Sequence, residues 1–188
     1  TVEMKGACPG DLLPVLEALS ASGCELRLKD QNITVKAPAR LRACGPVITR
    51  PYPGFATDAQ PLFMAACLRT RGAVVFVENI FENRYRQIAG FRKLGANIQT
   101  EGRVALVSGV PELVGTELRA EDLRGGAALL IAALSAGGES LVIDDAGHVG
   151  RGYEDIGGHT GGELLVQGSL GVAILHDGLL DEVRPGDR

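Results

Sequence analysis

The sequence predicts a mixed α/β fold (α+β) built from repeated βαβαββ units, and three observations predict it. Glycine is frequent, at 26 of 188 residues, while aromatics make up 4% and tryptophan is absent, a balance suited to short strands and tight turns packed on small aliphatic side chains. A pattern of helix, strand, polar turn and strand occurs twice at the same relative spacing. Apolar β-branched runs alternate with amphipathic stretches, as strands alternating with helices require.

The first copy runs from Asp11 through LLPVLEALSASGCELRLKDQNITVKAP. It predicts a helix over Pro9 to Ser22, stopped by Gly23 in the left-handed conformation that glycine adopts without a Cβ penalty. A strand follows over Glu25 to Lys29, then a turn at Asp30-Gln31-Asn32, then a strand bearing Ile33 and Val35. The second copy runs from Tyr85 through RQIAGFRKLGANIQTEGRVALVSGV, with a helix over Asn83 to Leu94 stopped by Gly95. Its strand covers Asn97 to Thr100, its turn is Glu101-Gly102-Arg103, and Val104 and Leu106 mark the return strand.

Between the copies, Pro61 to Thr70 reads as a helix beginning near Asp58, and Ala73 to Glu78 (AVVFVE) as a buried strand. Beyond them, Leu123 to Ala136 is a small-residue helix and Ser140 to Asp144 a strand. A third unit then weakens, because Gly157, Gly158, Gly161 and Gly162 occupy the place of its second helix, each disfavouring helix by about 1 kcal/mol. Glu163 to Gln167 and Gly171 to Leu175 read as its terminal hairpin. The expected organisation is therefore a repeat domain over 1–156 and a divergent tail over 157–188 that supplies, at most, the terminal hairpin of the same domain.

Net charge of -4 argues against a nucleic-acid partner, and no apolar run approaches the length of a membrane span. No secretory leader pattern is present, so a cytoplasmic protein is expected. Cys8, Cys24, Cys44 and Cys67 stand far apart without a CxxC pair and are expected as free thiols. His148, His159 and His176 form no ligand spacing with them, so no metal and no cofactor is expected.

Chemistry concentrates where charged side chains flank turns or helix starts: Asp58 in TRPYPGFATDAQ, Arg84 in ENIFENRY, Arg124 in AEDLRGGAAL and Arg151 in HVGRGYEDI. A guanidinium is a permanent planar fork for carboxylate and phosphate oxygens, and helix starts turn free amides toward anions. Singly, Asp58 reads first as a helix cap and each arginine as a solvated surface charge. Together, at matching element ends, they point to an anionic ligand.

At PYPGFATDAQ, VENIFENRYRQIAGFRKLGANI, AEDLRGGAALLIAALSAGG and HVGRGYEDI the chain resembles the UDP-N-acetylglucosamine 1-carboxyvinyltransferases of the enolpyruvyl transferase family. The resemblance covers Thr1 to Ile156 and is to the C-terminal half only; FENRY and RGYE favour this branch over the related shikimate-pathway synthase. It implies one domain of an inside-out α/β barrel and a reaction moving the enolpyruvyl group of phosphoenolpyruvate to the 3-hydroxyl of UDP-N-acetylglucosamine in peptidoglycan synthesis. It further implies Asp58 as the catalytic residue at that hydroxyl, Ile80 and Phe81 lining the sugar-nucleotide site, and Arg84 on the cleft wall. Arg124 and Arg151 would face the phosphate and carboxylate of phosphoenolpyruvate. Phe81, between Ile80 and Glu82, reads equally as a core residue.

The family's asparagine-lysine pair and loop cysteine have no counterpart here, so the chain is expected to be inactive alone and to need a separate first domain. The alternatives are a stand-alone sugar-nucleotide-binding module and a degenerate structural remnant.

Overall fold

The computed structural model describes residues 1–144, 146–149, 151, 153 and 172–175. Two compact units divide the chain: one takes Thr1–Gln60, Cys67–Arg84 and Asn97–Val110, the other Pro61–Ala66, Tyr85–Ala96 and the described residues from Pro111 onward.

In the first unit, β1 (Val2–Lys5), β2 (Glu25–Lys29) and β3 (Asn32–Lys36) form an antiparallel sheet in the order β1-β3-β2. A second sheet joins β4 (Val47–Ile48), β5 (Ala73–Val77), β6 (Asn97–Glu101) and β7 (Val104–Ser108) in the order β4-β5-β7-β6. There β4 and β5 run parallel, whereas β5-β7 and β7-β6 are antiparallel. The sub-order β5-β7-β6 thus reproduces β1-β3-β2, and the expected repetition is present down to the turns. Both hairpins close through two residues, with positive φ at the first: Asp30 at 53° and Gly102 at 55°. Gly23 and Gly95 stop their helices at φ 98° and 91°.

Helix bounds depart from the sequence reading where local chemistry intervenes. The Pro9 to Ser22 helix is instead a 3₁₀ turn at Pro9–Leu12 followed by α1 (Leu13–Ala21). Pro14 offers no N–H for the preceding turn and its ring crowds the carbonyl four residues back, so the α-helix starts beside it. The next helix, α2, covers Gln60–Cys67 rather than Pro61 to Thr70. The Thr70 hydroxyl and backbone N–H both turn back to the Cys67 carbonyl, closing the end.

The predicted Asn83 to Leu94 helix begins five residues later, as α3 (Ile88–Lys93). Asn83 stands at φ 55°, a left-handed conformation that asparagine tolerates and a right-handed helix excludes. Residues 73–78 and 140–144 each lose their last position from the strand: Glu78 and Asp144 follow β5 and β9 instead of closing them.

In the second unit, β8 (Glu117–Arg119) and β9 (Ser140–Ile143) pair in parallel around α4 (Leu123–Leu134), repeating the β4, α2, β5 arrangement. β10 (Val172–Leu175) pairs parallel to β9. It therefore does not take the antiparallel place that β7 holds beside β5. Residues 157–171 and 176–188, including Glu163 to Gln167 and the four glycines before it, lie outside the described residues. Core side chains are mostly aliphatic, with Ile33, Val74 and Val107 around Phe76 fully buried in the first unit and Leu113 and Leu118 with Phe91 in the second. All four thiols are free, and among the described residues no helix is long and apolar enough to cross a membrane.

Candidate functional site

Asp58 is reached through a knotted turn. Thr49 and Phe55 bridge in parallel, the Arg50 N–H donates to the Phe55 carbonyl and the Gly54 N–H to the Pro51 carbonyl. A Cβ at Gly54 would come within 2.4 Å of Arg50 Cβ, so the turn needs glycine. Buried Phe55 anchors it, and Thr57 and Asp58 follow at the start of α2.

The facing loop leaves β5. Glu78 is 1% exposed, and its carboxylate is filled from three sides. Oε1 accepts the backbone N–H groups of Ile80 (2.8 Å) and Phe81 (3.0 Å), while Oε2 accepts the Thr57 hydroxyl (3.0 Å). Thr49 Oγ1 accepts the Asn79 N–H at 2.8 Å, and Arg103 donates to the Asn79 carbonyl at 3.1 Å. With the N–H groups of residues 78–81 and the Asn79 carbonyl thus tied, Phe81 is presented outward, 52% exposed. That resolves the two readings of Phe81: it is not core.

Arg84 arrives after the left-handed Asn83 and folds back over this surface. Its Nη2 donates to Asp58 Oδ1 at 2.7 Å, and its Cζ lies 5.6 Å from the Phe81 ring centroid. The arginine side chain is 21% exposed and the aspartate 56%, so solvent screens the pair and its contribution to stability is at most about 1 kcal/mol. Its value is geometric, since it fixes a carboxylate, a guanidinium and an aromatic face in one place. Arg84 Nε is buried without a hydrogen-bond acceptor. Asp58, before α2, and Ile80, Phe81 and Arg84, from the loop after β5, therefore share one surface of the first unit.

Arg124 and Arg151 belong to the second unit. Asp122 adopts extended backbone before α4 and caps it, Oδ1 accepting the Gly125 N–H at 2.7 Å, which sets Arg124 in the first turn. Its Cζ lies 5.4 Å from the Tyr153 ring centroid. Gly126 permits close packing here, because a Cβ would come within 2.7 Å of Val149 Cγ2. Asp144, fully buried, accepts the N–H groups of His148 (2.8 Å) and Val149 (2.9 Å), and the Tyr153 N–H donates to the Val149 carbonyl. Arg151 is exposed and donates to the Ala146 carbonyl. Both arginines thus stand on one packed corner of the second unit.

Sequence reasoning missed Glu78 and Asp144, which it took as strand residues. The signal was available: an acidic residue ending an otherwise apolar run, AVVFV then Glu and SLVI then Asp. Burial pushes the Cys67 thiol far above its ordinary value, with Cys44 nearby adding to the rise, so it is no nucleophile.

Comparison with known proteins gives a consistent set of matches. The family model for EPSP synthase (3-phosphoshikimate 1-carboxyvinyltransferase) matches residues 3–159. The UDP-N-acetylglucosamine 1-carboxyvinyltransferase of Zymomonas mobilis is 44% identical over 153 residues, covering 81% of this chain and 35% of that protein. UDP-N-acetylglucosamine 1-carboxyvinyltransferase 2 of Caldanaerobacter subterraneus is 39% identical over 145 residues, covering 77% and 34%. Among solved structures, the enolpyruvyl transferase NikO from Streptomyces tendae superposes with a TM-score of 0.68 at 27% identity, over 81% of this chain and 36% of its own. The chain spans about a third of the length of these relatives.

Proposed function

The chain belongs to the EPSP synthase family, and from that premise we propose that it forms one wall of a UDP-N-acetylglucosamine 1-carboxyvinyltransferase active site. The reaction would move the enolpyruvyl group of phosphoenolpyruvate to the sugar 3-hydroxyl and release phosphate, in cytoplasmic peptidoglycan synthesis. The observation that carries this reading is the convergence of Asp58, Arg84 and exposed Phe81 on one surface with Ile80 at its side. Asp58 meets the need for a carboxylate at the attacking hydroxyl, where it accepts the proton. Ile80 and Phe81 line the sugar-nucleotide site, and Arg84 holds Asp58 in place on the cleft wall. Arg124 and Arg151 bring fixed positive charge to the carboxylate and the leaving phosphate, which gather charge as the reaction proceeds. The opposite wall, with the family's lysine and loop cysteine, belongs to the first domain, which reconstitution must supply to these residues.

The test is reconstitution with a separately produced first domain, read as phosphate release. Activity should rise with protein concentration, because two walls must assemble. Within it, Asp58→Asn should lower kcat by about a hundredfold or more with little change in KM, since the amide still hydrogen-bonds but cannot take a proton. Arg124→Lys should lose about tenfold or more, because a point charge replaces a planar fork. Near-normal rates in both variants would withdraw the assignment.

A further inference from the structure

The geometry points to Glu78 as a positioning residue that locks the Asp58 turn and the Ile80-Phe81 loop together as one rigid wall. Its role rests on the proposed reading of that wall as a sugar-nucleotide site, although the locking itself needs no ligand. Glu78 is 1% exposed, and burying a carboxylate is costly unless hydrogen bonds fill its oxygens. Here they do. One oxygen gathers two successive loop amides, and the other reaches a hydroxyl 21 residues away in sequence, beside Asp58.

The consequence is a coupling. The backbone at Ile80 and Phe81 cannot shift without releasing two N–H groups from this carboxylate, and the Asp58 turn cannot shift without releasing the Thr57 hydroxyl from it. Arg84 closes the outside of this arrangement by bridging Asp58 and the Phe81 ring. The second unit carries the same device independently: Asp144, also just past a strand, gathers two amides of the loop that leads to Arg151. In the first repeat β1 is followed by Gly6, with no carboxylate and no candidate site residue. The device accompanies the loops that bear candidate ligand-binding side chains and is missing where none is borne.

Glu78→Gln and Glu78→Ala separate positioning from filling of space. Glutamine can accept both amides through its carbonyl and donate to the Thr57 oxygen, preserving the geometry without the charge. Alanine removes every acceptor. Residue-resolved hydrogen exchange on the full chain should show Glu78→Ala losing about a hundredfold or more of the protection at Ile80 and Phe81, with Glu78→Gln within about tenfold of the parent. Thr57→Val should leave Ile80 and Phe81 protected while shifting the Asp58 and Arg84 resonances, and it decides the coupling even if Glu78→Ala does not fold. Titration with UDP-N-acetylglucosamine should show weakened binding in Glu78→Ala and rescue in Glu78→Gln. Unchanged protection in Glu78→Ala, or Thr57→Val leaving Asp58 and Arg84 unmoved, overturns the proposal. Failure of the parent chain to bind the sugar nucleotide would instead strike the proposed function, with the locking still judged on exchange alone.

Discussion

The loops that leave β5 and β9 solve one problem with two acids. Each follows an apolar strand paired in parallel with the strand before its helix, each begins with a buried carboxylate, and each carboxylate accepts two backbone N–H groups. Glu78 captures amides two and three residues on, which makes a tight turn that throws Phe81 outward. Asp144 captures amides four and five residues on, around a wider loop in which Gly147 stands at φ 60°. The extra methylene of Glu78 also lets its second oxygen meet the Thr57 hydroxyl, whereas both Asp144 oxygens serve one loop. The difference teaches that acid length and amide spacing decide what a loop presents: an aromatic and an aspartate held together in one unit, an arginine at the end of a wider loop in the other.

The comparison can be broken first by removing each acid. Glu78→Ala orphans two amides and a hydroxyl, Asp144→Ala two amides, and each buried group left unsatisfied costs about 1–3 kcal/mol. Urea unfolding should therefore show Glu78→Ala as the more damaging, by about 1 kcal/mol or more. Equal or reversed losses would mean the two carboxylates are not the same device.

Much of this was legible beforehand, and the remainder fails for identifiable reasons. Gly23, Gly95 and the two polar turns announce the repeat, because helix stops and tight hairpins are local chemistry. Asp58 and Arg84 were each picked out by residue type and position. Their direct contact spans 26 residues of sequence and no local pattern encodes it. The late start of α3 lies in one residue, Asn83, whose left-handed backbone answers to the loop it closes rather than to helix propensity. Pro14 was visible in the sequence, yet the consequence it enforces, a 3₁₀ turn before α1, was read through as helix. Glu78 and Asp144 were read as strand because they continue an apolar run by position, although their charge forbids the same burial without partners.

A smaller effect sharpens the contrast between the helices that follow β8 and precede β6. α4 begins at a side-chain cap, Asp122 to the Gly125 N–H, and α3 begins at Gln87 without one. Asp122→Ala should cost about 1 kcal/mol in thermal or urea unfolding. A cost near zero for Asp122→Ala would show that the cap is not what separates the two starts.

The smallest expected effect is a dependence on alkaline pH. Burial raises the Cys67 thiol above its ordinary value of 9.0, with Cys44 contributing, and burial likewise raises Cys24. The folded state keeps these protons where the unfolded chain has lost them. Their contribution to stability is therefore complete below the ordinary thiol value and declines as pH rises above it. The urea midpoint of the parent should fall across that range and that of Cys67→Ala should fall less, from a lower start. Identical slopes would remove Cys67 as the source.

The most direct measurement for the whole account is calorimetric titration of the chain with UDP-N-acetylglucosamine, set beside an unrelated UDP-sugar and the Phe81→Ala variant. On the proposed reading this surface is one side of a cleft, so binding should be weak, selective for UDP-N-acetylglucosamine, and lost when Phe81 is truncated. Equal heats for both sugars, or a Phe81→Ala curve that overlays the parent, would contradict the assignment of this wall to the sugar nucleotide.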